Sequence, residues 1–230
     1  MERSGVTFGI IIQARMGSTR LPGKVLKPIA GKALLDHVLG KLSGLACPVK
    51  VVVATSDKPQ DDAIVRHCLE RNVAVFRGSE TDVLDRYYQC ARENGFEHVV
   101  RLTADNPFTD MEELQRLIVQ HTAQHNDYTH SFESMPLGVG AEIFTFASLE
   151  RSMREGHAPN HREHVNEYIQ ENPEQFRIGV LEVPAAKRCP ALLLTVDTED
   201  DYQRACIIAG HAPDRWIGTE EAIRLCSPSA

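Results

Sequence analysis

The chain has 230 residues, of which 42% are hydrophobic and 25% charged, and its net charge at pH 7 is −7. These values are ordinary for one soluble α/β domain, and the acidic balance argues against non-specific nucleic-acid binding, which needs a basic surface. No apolar run has the length of a membrane span or a signal peptide, so we expect a cytoplasmic protein without membrane contact.

The hydrophobic pattern alternates between strands and helices along the chain. We predict strands over 6–14, 49–54, 73–76, 98–103, 127–131, 141–146, 176–183 and 192–196. We predict helices over 32–44, 60–71, 80–94, 110–125, 147–155, 160–170, 199–209 and 218–226. Such alternation is typical of an α/β fold with a mostly parallel, doubly wound sheet and helices on both faces. No clear linker interrupts it, so residues 1–230 are predicted to form a single domain.

The most informative segment follows the first predicted strand. Residues 13–24 carry three cations, two glycines and two hydroxyls. This composition suits a polyanion, because guanidinium groups and glycine backbone amides both bind phosphate oxygens. It is not a P-loop, since five residues separate the two glycines and a valine follows Lys24. We predict that Arg15, Arg20 and Lys24 bind phosphates; the alternative is a solvated basic turn.

Two aspartates directly follow other predicted strands. Asp105 comes after strand 98–103, and Asp197 comes after strand 192–196. Ligands of doubly wound sheets bind at the carboxyl ends of the strands, and Mg²⁺ prefers one or two carboxylates together with phosphate oxygens. We therefore predict that these two residues hold a metal ion. For Asp197, capping of the following helix is an equally good interpretation.

Further polar residues lie at the ends of the second and third strands. Thr55 ends strand 49–54, and Arg77, Ser79 and Asp82 follow strand 73–76. This position predicts that all four bind a nucleotide, and that Arg77, Ser79 and Asp82 contact its base or ribose. Ser79 or Thr81 also suits the cap of the next helix, with Asp82 and Asp85 favoured in its first turns, and that structural role remains an alternative.

The second half of the chain offers candidates for binding an acceptor. Arg162 and His164 are candidates for contacting its acidic group, and Glu142 is a third candidate. His161 and His164 are spaced for one helix face, but they do not form the pattern of a zinc protease. A polar helix start is the alternative. Residues from about 132 to 185 are predicted to form a small excursion for acceptor binding or dimerisation.

Several segments together carry a resemblance to a known family. Residues 14–24 are similar to the nucleotide-binding signature of cytidylyltransferases that activate acidic sugars. The other matching segments are 77–87, 102–107, 162–165 and 194–202. Over most of its length the chain resembles the spore coat polysaccharide biosynthesis protein F group. The CMP-Kdo and acylneuraminate cytidylyltransferases are wider relatives of that group.

The resemblance implies a GT-A-like nucleotidyltransferase fold, CTP as donor, Mg²⁺ as cofactor and a homodimer. It implies that Arg15 and Lys24 grip the triphosphate, and that Asp105 and Asp197 hold the metal. Arg15, Lys24 and Asp105 are then the catalytic residues. The nucleotide-binding positions expected on this basis are Ala14, Arg15, Gly17, Ser18, Arg20, Lys24, Thr55, Arg77, Ser79 and Asp82. The CMP-Kdo enzymes carry Gly-Asp-Glu-Pro where residues 104–107 are Ala-Asp-Asn-Pro, which keeps the aspartate but leaves the acceptor open.

We therefore expect transfer of a cytidylyl group from CTP to a small anionic acceptor, with release of pyrophosphate, in surface polysaccharide or glycoconjugate precursor synthesis. The acceptor is a sugar acid, a phosphonate or a phosphorylated small molecule. One alternative is a glycosyltransferase of the same fold, although such enzymes usually carry an Asp-x-Asp motif near mid-chain and the nearest match here is 197–199. Another is a noncatalytic nucleotide-binding relative.

Overall fold

Nine strands lie within residues 7–227, the part of the chain that the computed structural model describes. They are β1 (Phe8–Gln13), β2 (Pro28–Ile29), β3 (Lys32–Ala33), β4 (Lys50–Ser56), β5 (Ala74–Gly78), β6 (His98–Thr103), β7 (Tyr128–His130), β8 (Glu142–Thr145) and β9 (Ile178–Val180). Seven of them form one sheet in the order β5-β4-β1-β6-β8-β7-β9. Within this sheet the strands β1, β4, β5 and β6 pair in parallel, and β8 is the strand that runs antiparallel to both of its neighbours. The predicted mostly parallel sheet is confirmed.

Nine α-helices lie within the same residues. They are α1 (Leu34–Leu42), α2 (Asp62–Leu69), α3 (Val83–Asn94), α4 (Met111–Ala123), α5 (Phe146–Glu155), α6 (Pro159–Glu163), α7 (Glu167–Glu171), α8 (Glu199–Gly210) and α9 (Thr219–Cys226). None of the helices in this part of the chain is both long enough and apolar enough to cross a membrane.

The central position of β1 follows from its sequence. Residues 9–12 are Gly-Ile-Ile-Ile, and all four are buried, as expected for a strand covered on both faces. Ile10 and Ile12 belong to a hydrophobic cluster with residues of α1, α4 and α8. Ile11 points to the opposite face and belongs to a second cluster with residues of α3, α5 and α7. Helices therefore cover both faces of the sheet, as predicted.

Three predicted elements differ clearly from the structure, and a fourth extends beyond the described residues. The strand over 192–196 is wrong: this extended segment hydrogen-bonds to Leu137 and Asp105 instead of joining the sheet. The helix over 160–170 is two short helices, because His164 has an extended backbone. The helix over 32–44 begins at Leu34, since the two residues before it form β3, which pairs with β2 in a hairpin. Residue 6 of the first predicted strand lies outside the described residues.

The segment from about 132 to 185 is only partly separate from the sheet. It supplies the sheet strands β8 and β9, and its three helices α5, α6 and α7 lie between them in the chain. α5 and α6 pack against α3, close to the end of β5. This arrangement brings residues of the second half to the carboxyl edge of the parallel strands, where the functional site is found.

Candidate active site at the carboxyl ends of the parallel strands

A cavity with two lobes opens where β1 and β6 end. The smaller lobe has a volume of about 300 Å³ and the larger about 860 Å³. Together they are large enough for a nucleotide and a second small molecule. The residues that line both lobes are Gln13, Arg15, Thr103, Asp105 and Asp197. The two predicted metal ligands therefore lie at the junction of the lobes.

Lys24 lies directly between these two aspartates. Its Nζ atom donates to Oδ2 of Asp105 at 2.7 Å and to Oδ1 of Asp197 at 2.7 Å. It also donates to the backbone oxygen of Val196 at 2.8 Å. Only 7% of Lys24 is exposed, so its contacts with the two aspartates lie at the bottom of the cavity. The sequence predicted that all three side chains belong to one site, and the structure brings them together.

The donor atoms around Lys24 suit a metal ion. Two carboxylate oxygens that contact the same ammonium are close enough to share one cation, and a carbonyl oxygen lies beside them. Mg²⁺ prefers oxygen ligands of this kind, with the remaining positions filled by phosphate oxygens and water. The residues present at Asp105 and Asp197 therefore fit the group that the sequence predicted.

The smaller lobe is walled by the segment 14–24, which we call the cationic loop. Gly17, Ser18 and Arg20 line this lobe, and the terminal nitrogen of Arg20 lies 3.2 Å from Oδ1 of Asp197. Arg15 is exposed and has no ion pair within residues 7–227. Two guanidinium groups thus border an open space beside the aspartates, an arrangement that suits a polyphosphate.

A buried aspartate that the sequence did not single out anchors the cationic loop. Asp61 accepts from the backbone nitrogen of Met16 at 2.7 Å and from that of Ser56 at 3.0 Å. The loop closes with Gly23, whose φ of +69° favours glycine and whose nitrogen bonds to the Met16 oxygen at 3.0 Å. Asp61 lies two residues after a lysine-proline pair, in the first turn of a short helix, where acidic residues are common. The sequence therefore carried no signal for its role as an anchor of the loop.

Several predicted nucleotide contacts do not line the cavity. Ala14 is buried, and its backbone extends the pairing of β1 with β4. Thr55 is fully buried. The guanidinium of Arg77 bonds to the Ser56 oxygen at 3.0 Å and to Asp62 at 2.6 Å. These partners hold Arg77 beside α2 and away from the cavity.

Asp82, which the sequence placed in the first turn of the helix, is the N-cap of α3, and Ser79 bonds to this N-cap residue instead of capping the helix itself. The Ser79 hydroxyl accepts from the Asp82 nitrogen at 3.0 Å, and Asp82 accepts from the Asp85 nitrogen at 2.9 Å at the start of α3. Between them, Glu80 and Thr81 line the larger lobe. The loop before α3 therefore borders the site, although through neighbours of the predicted residues.

The predicted acceptor-binding residues divide into one that reaches the cavity and two that do not. His164 lines the larger lobe. Arg162 instead pairs with Asp82 and donates to the Met153 oxygen at 3.2 Å, so it ties α6 to the start of α3. Glu142 is fully buried and cannot contact an acceptor, which corrects its assignment. It pairs with the neighbouring cation Arg101 and accepts from the Tyr128 hydroxyl at 2.6 Å.

Nor does His161 act as a metal ligand with His164. It is buried, and its Nε2 atom lies 2.7 Å from Oε2 of Glu171. The helix break at His164 separates the two imidazoles, because only His161 lies within α6.

Arg101 is the cavity cation that the sequence missed. It lies on β6, and its side chain lines the larger lobe beside Thr103 and Asn106. Burial alone would lower the pKa of this guanidinium, but the adjacent Glu142 carboxylate outweighs burial and raises it. Burial and the same carboxylate raise the pKa of Tyr128. The sequence signal that could have identified Arg101 is an arginine among the apolar residues in the middle of a predicted strand.

These features define a class of protein. A mostly parallel sheet, a cationic loop after its central strand and two carboxylates that line the same cavity are the parts of a nucleotidyltransferase. Residues 9–210 match the model of the cytidylyltransferase family. The chain belongs to this family and is a nucleotidyltransferase.

Two relatives cover nearly the whole chain. The spore coat polysaccharide biosynthesis protein SpsF of Bacillus subtilis is 40% identical over 223 residues, which are 94% of this chain and 92% of SpsF. A solved cytidylyltransferase of Leptospira borgpetersenii has a TM-score of 0.89 and 30% identity, covering 96% of this chain and 93% of that one. The resemblance to the spore coat polysaccharide group is thus confirmed.

A more distant solved structure supports the fold. It is a CMP:2-keto-3-deoxy-manno-octonic acid synthetase complexed with CTP, with a TM-score of 0.68 and 18% identity. The match covers 89% of this chain and 99% of that one. The GT-A-like nucleotidyltransferase fold is therefore confirmed.

Proposed function

We propose that this enzyme transfers CMP from CTP to a small anionic acceptor and releases pyrophosphate, as a step in the synthesis of a surface polysaccharide or glycoconjugate precursor. The observation that carries the proposal is the contact of one buried ammonium, Lys24, with Asp105 and Asp197 directly below the cationic loop. The spore coat polysaccharide relative supports the biological setting.

The two lobes divide the triphosphate from the nucleoside and the acceptor. The smaller lobe, bordered by Arg15, Arg20 and Lys24, takes the triphosphate, because fork-shaped guanidinium groups and an ammonium match its oxygens. The larger lobe takes the nucleoside and the acceptor, with His164 on its far wall. The α-phosphorus then lies at the junction, beside both aspartates.

The reaction needs one bond to form and one to break. An acceptor oxygen attacks the α-phosphorus, the bond from that phosphorus to the bridging oxygen breaks, and a proton on an attacking hydroxyl passes to water. Arg15, Arg20 and Lys24 stabilise the charge that develops on the departing pyrophosphate. Holding both substrates at one junction accelerates the reaction further, because the attack then takes place within a single complex.

Asp105 and Asp197 are proposed to hold the divalent ion, with Mg²⁺ as the ion used. When bound, it neutralises charge on the α-phosphate. A homodimeric assembly and a cytoplasmic location belong to the same proposal, supported by the resemblance to the spore coat polysaccharide group.

The test is a pyrophosphate-release screen of the four ribonucleoside triphosphates against sugar acids, phosphonates and sugar phosphates. We expect turnover with CTP and one class of anionic acceptor. Asp105→Asn and Asp197→Asn should each lower kcat on the order of 10²-fold or more while the proteins stay folded. Asp200→Asn is the matched control, since Asp200 is exposed in the first turn of α8 and does not line the cavity.

Two results would contradict the proposal. Full activity in Asp105→Asn would remove the metal assignment. Transfer of sugar from a nucleotide sugar, with no pyrophosphate released from any triphosphate, would indicate a glycosyltransferase instead.

A further inference from the structure

A second cavity lies apart from the active site and shares no lining residue with either of its lobes. It is lined by parts of α1, α4 and α9 and by the residues just before α9, and we call it the α9 cavity. Its volume of about 540 Å³ lies in the range of small-molecule sites. Met111 and Trp216, both half-buried, and the buried Ile217 give it apolar walls.

The α9 cavity contains a buried ammonium group without a carboxylate partner. Lys41 lines the cavity and is only 8% exposed. Its Nζ atom donates to the backbone oxygens of Thr109 and Ile217, both at 3.3 Å, and it forms no ion pair within residues 7–227. Burial lowers the pKa of Lys41 to about 8, and the charge of Asp110 opposes this shift only in part. Because buried charges in proteins are normally paired, this ammonium indicates a site for an anion.

The start of α9 adds backbone donors to the same cavity. Its N-cap residue is Gly218, which has no side chain to cap the helix. The backbone nitrogens of Thr219, Glu220 and Glu221 donate to no acceptor in the described part of the chain, and all three residues line the cavity. Free N–H groups at the positive end of a helix attract anions. The uncapped helix start and the Lys41 ammonium are thus independent donors to one cavity.

The other charged groups of the cavity favour a ligand with a single negative charge. Lys187 already contacts three carboxylates, at 2.7–3.1 Å, those of Asp110, Glu112 and Glu113. Glu112 and Glu220 line the cavity with exposed side chains and repel a dianion such as phosphate. One ammonium without an ion pair is balanced by one carboxylate.

We infer that the α9 cavity binds a small monocarboxylic acid with an apolar body. Its carboxylate contacts Lys41 and the free amides of α9, since an ammonium and backbone N–H groups both donate to carboxylate oxygens. Its body packs against Met111 and Trp216, where burial of hydrocarbon surface is favourable. This site is separate from the nucleotide site and does not depend on the proposed transfer reaction.

Tryptophan fluorescence measures this binding directly, because Trp216 is the only tryptophan of the chain. The probe is 3-phenylpropanoate, titrated into the full chain with and without an excess of CMP. We expect a saturable change in emission and a Kd about tenfold or more below that of 3-phenylpropan-1-ol, which has the same body without the charge. Neither CMP nor inorganic phosphate should displace the acid.

A variant of Lys41 tests the role of the ammonium. Lys41→Gln removes the charge but keeps N–H donors for the two backbone oxygens. It should weaken binding of the acid by about tenfold or more and leave the affinity for the alcohol within about twofold. Lys50→Gln is the matched control, since Lys50 is exposed at the start of β4 and does not line the cavity. Melting curves check that both variants fold.

Several outcomes would overturn the inference. These are no saturable change in the emission of wild type, equal binding of the acid and the alcohol by wild type, or unchanged affinity for the acid in Lys41→Gln. Displacement of the acid by phosphate would assign the cavity to phosphate, and displacement by CMP would place the acid in the nucleotide site. The comparison of acid and alcohol needs wild type alone, so it decides even if Lys41→Gln does not fold.

Discussion

The Nζ atom of Lys24 lies 2.7 Å from Oδ2 of Asp105. A second contact of equal length joins it to Asp197, so the ammonium occupies the space between two carboxylates. A divalent ion shared by these carboxylates needs the same space. If the proposed metal binds between them, Lys24 must give up these contacts, and the phosphate oxygens of CTP are its proposed next partners.

The first prediction follows from this exclusion. Lys24→Met should bind Mn²⁺ about tenfold or more tightly than wild type in the absence of nucleotide, because two carboxylates without a cation between them attract a metal. Wild type should reach comparable affinity only when CTP is present. Free Mn²⁺ followed by electron paramagnetic resonance measures this without turnover.

The control for that experiment is Lys27→Met. Lys27 is half-buried near the same loop but pairs with the exposed Glu199 at 3.4 Å, so its removal should leave Mn²⁺ affinity unchanged. Equal Mn²⁺ affinity of wild type and Lys24→Met without nucleotide would show that the ammonium does not compete with the metal.

A second prediction concerns Arg162, which pairs with Asp82 at the start of α3. Arg162→Ala should lower the free energy of unfolding by about 1–2 kcal/mol, because it removes a charged hydrogen bond and leaves Asp82 without its cation. The KM for the acceptor should change less than about twofold. Urea denaturation and steady-state kinetics measure the two effects.

Arg154→Ala serves as the comparison, since Arg154 is exposed and its ion pair with Glu155 lies at the surface. It should leave both quantities unchanged. A large rise in acceptor KM with unchanged stability in Arg162→Ala would return Arg162 to the acceptor site.

Arg162 and Arg101 show which parts of the site cannot be predicted from the sequence. That Arg15, Lys24 and Asp105 line one cavity was predictable, because the segments that carry them follow the apolar strands β1 and β6, and the ends of parallel strands meet at one edge. The role of Arg162 depends on Asp82, eighty residues earlier in the chain, and no local pattern encodes that contact. The same holds for Arg101, whose partner follows from the pairing of β6 with β8.

The secondary-structure elements also divide into those that the sequence predicts and those that it does not. Strands such as β1 and β6 were predicted to within two residues, since burial on both faces gives a continuous apolar run. Residues 192–196 show an equally apolar pattern but bond to Leu137 and Asp105. Sequence pattern indicates an extended backbone, whereas the partner strand depends on the rest of the fold.

A third prediction uses Gly138, which lines the larger lobe with a φ of +96°. A Cβ atom there would lie 2.5 Å from the Thr195 nitrogen and 3.0 Å from Oδ1 of Asn106. Gly138→Ala should therefore displace the segments that carry Asp105 and Asp197, the proposed metal ligands, and lower kcat by about tenfold or more. Pyrophosphate release measures this effect.

Gly210→Ala is the matched control, because a Cβ atom at the end of α8 meets nothing within 4 Å. It should retain wild-type kcat. Unchanged kcat in Gly138→Ala would mean that this loop moves without affecting the aspartates.

The last prediction concerns His121, a buried histidine far along the chain from the cationic loop. Burial, and then the neighbouring His98, lower its pKa from 6.5 to about 3. Its imidazole contacts Thr129 at 2.9 Å and His98 at 3.0 Å. The folded protein thus holds His121 neutral where the unfolded chain takes up a proton. The stability it contributes is complete above pH 6.5 and is lost as the pH falls toward 3.

Between pH 7 and 5 this linkage should lower the free energy of unfolding by about 2 kcal/mol. His121→Gln removes the titrating group, so its stability should fall less over the same range in urea denaturation. His157→Gln, at an exposed position, should keep the wild-type slope. If His121→Gln and wild type lose stability equally between pH 7 and 5, the imidazole is protonated in the folded state and the pair with His98 does not exclude the proton.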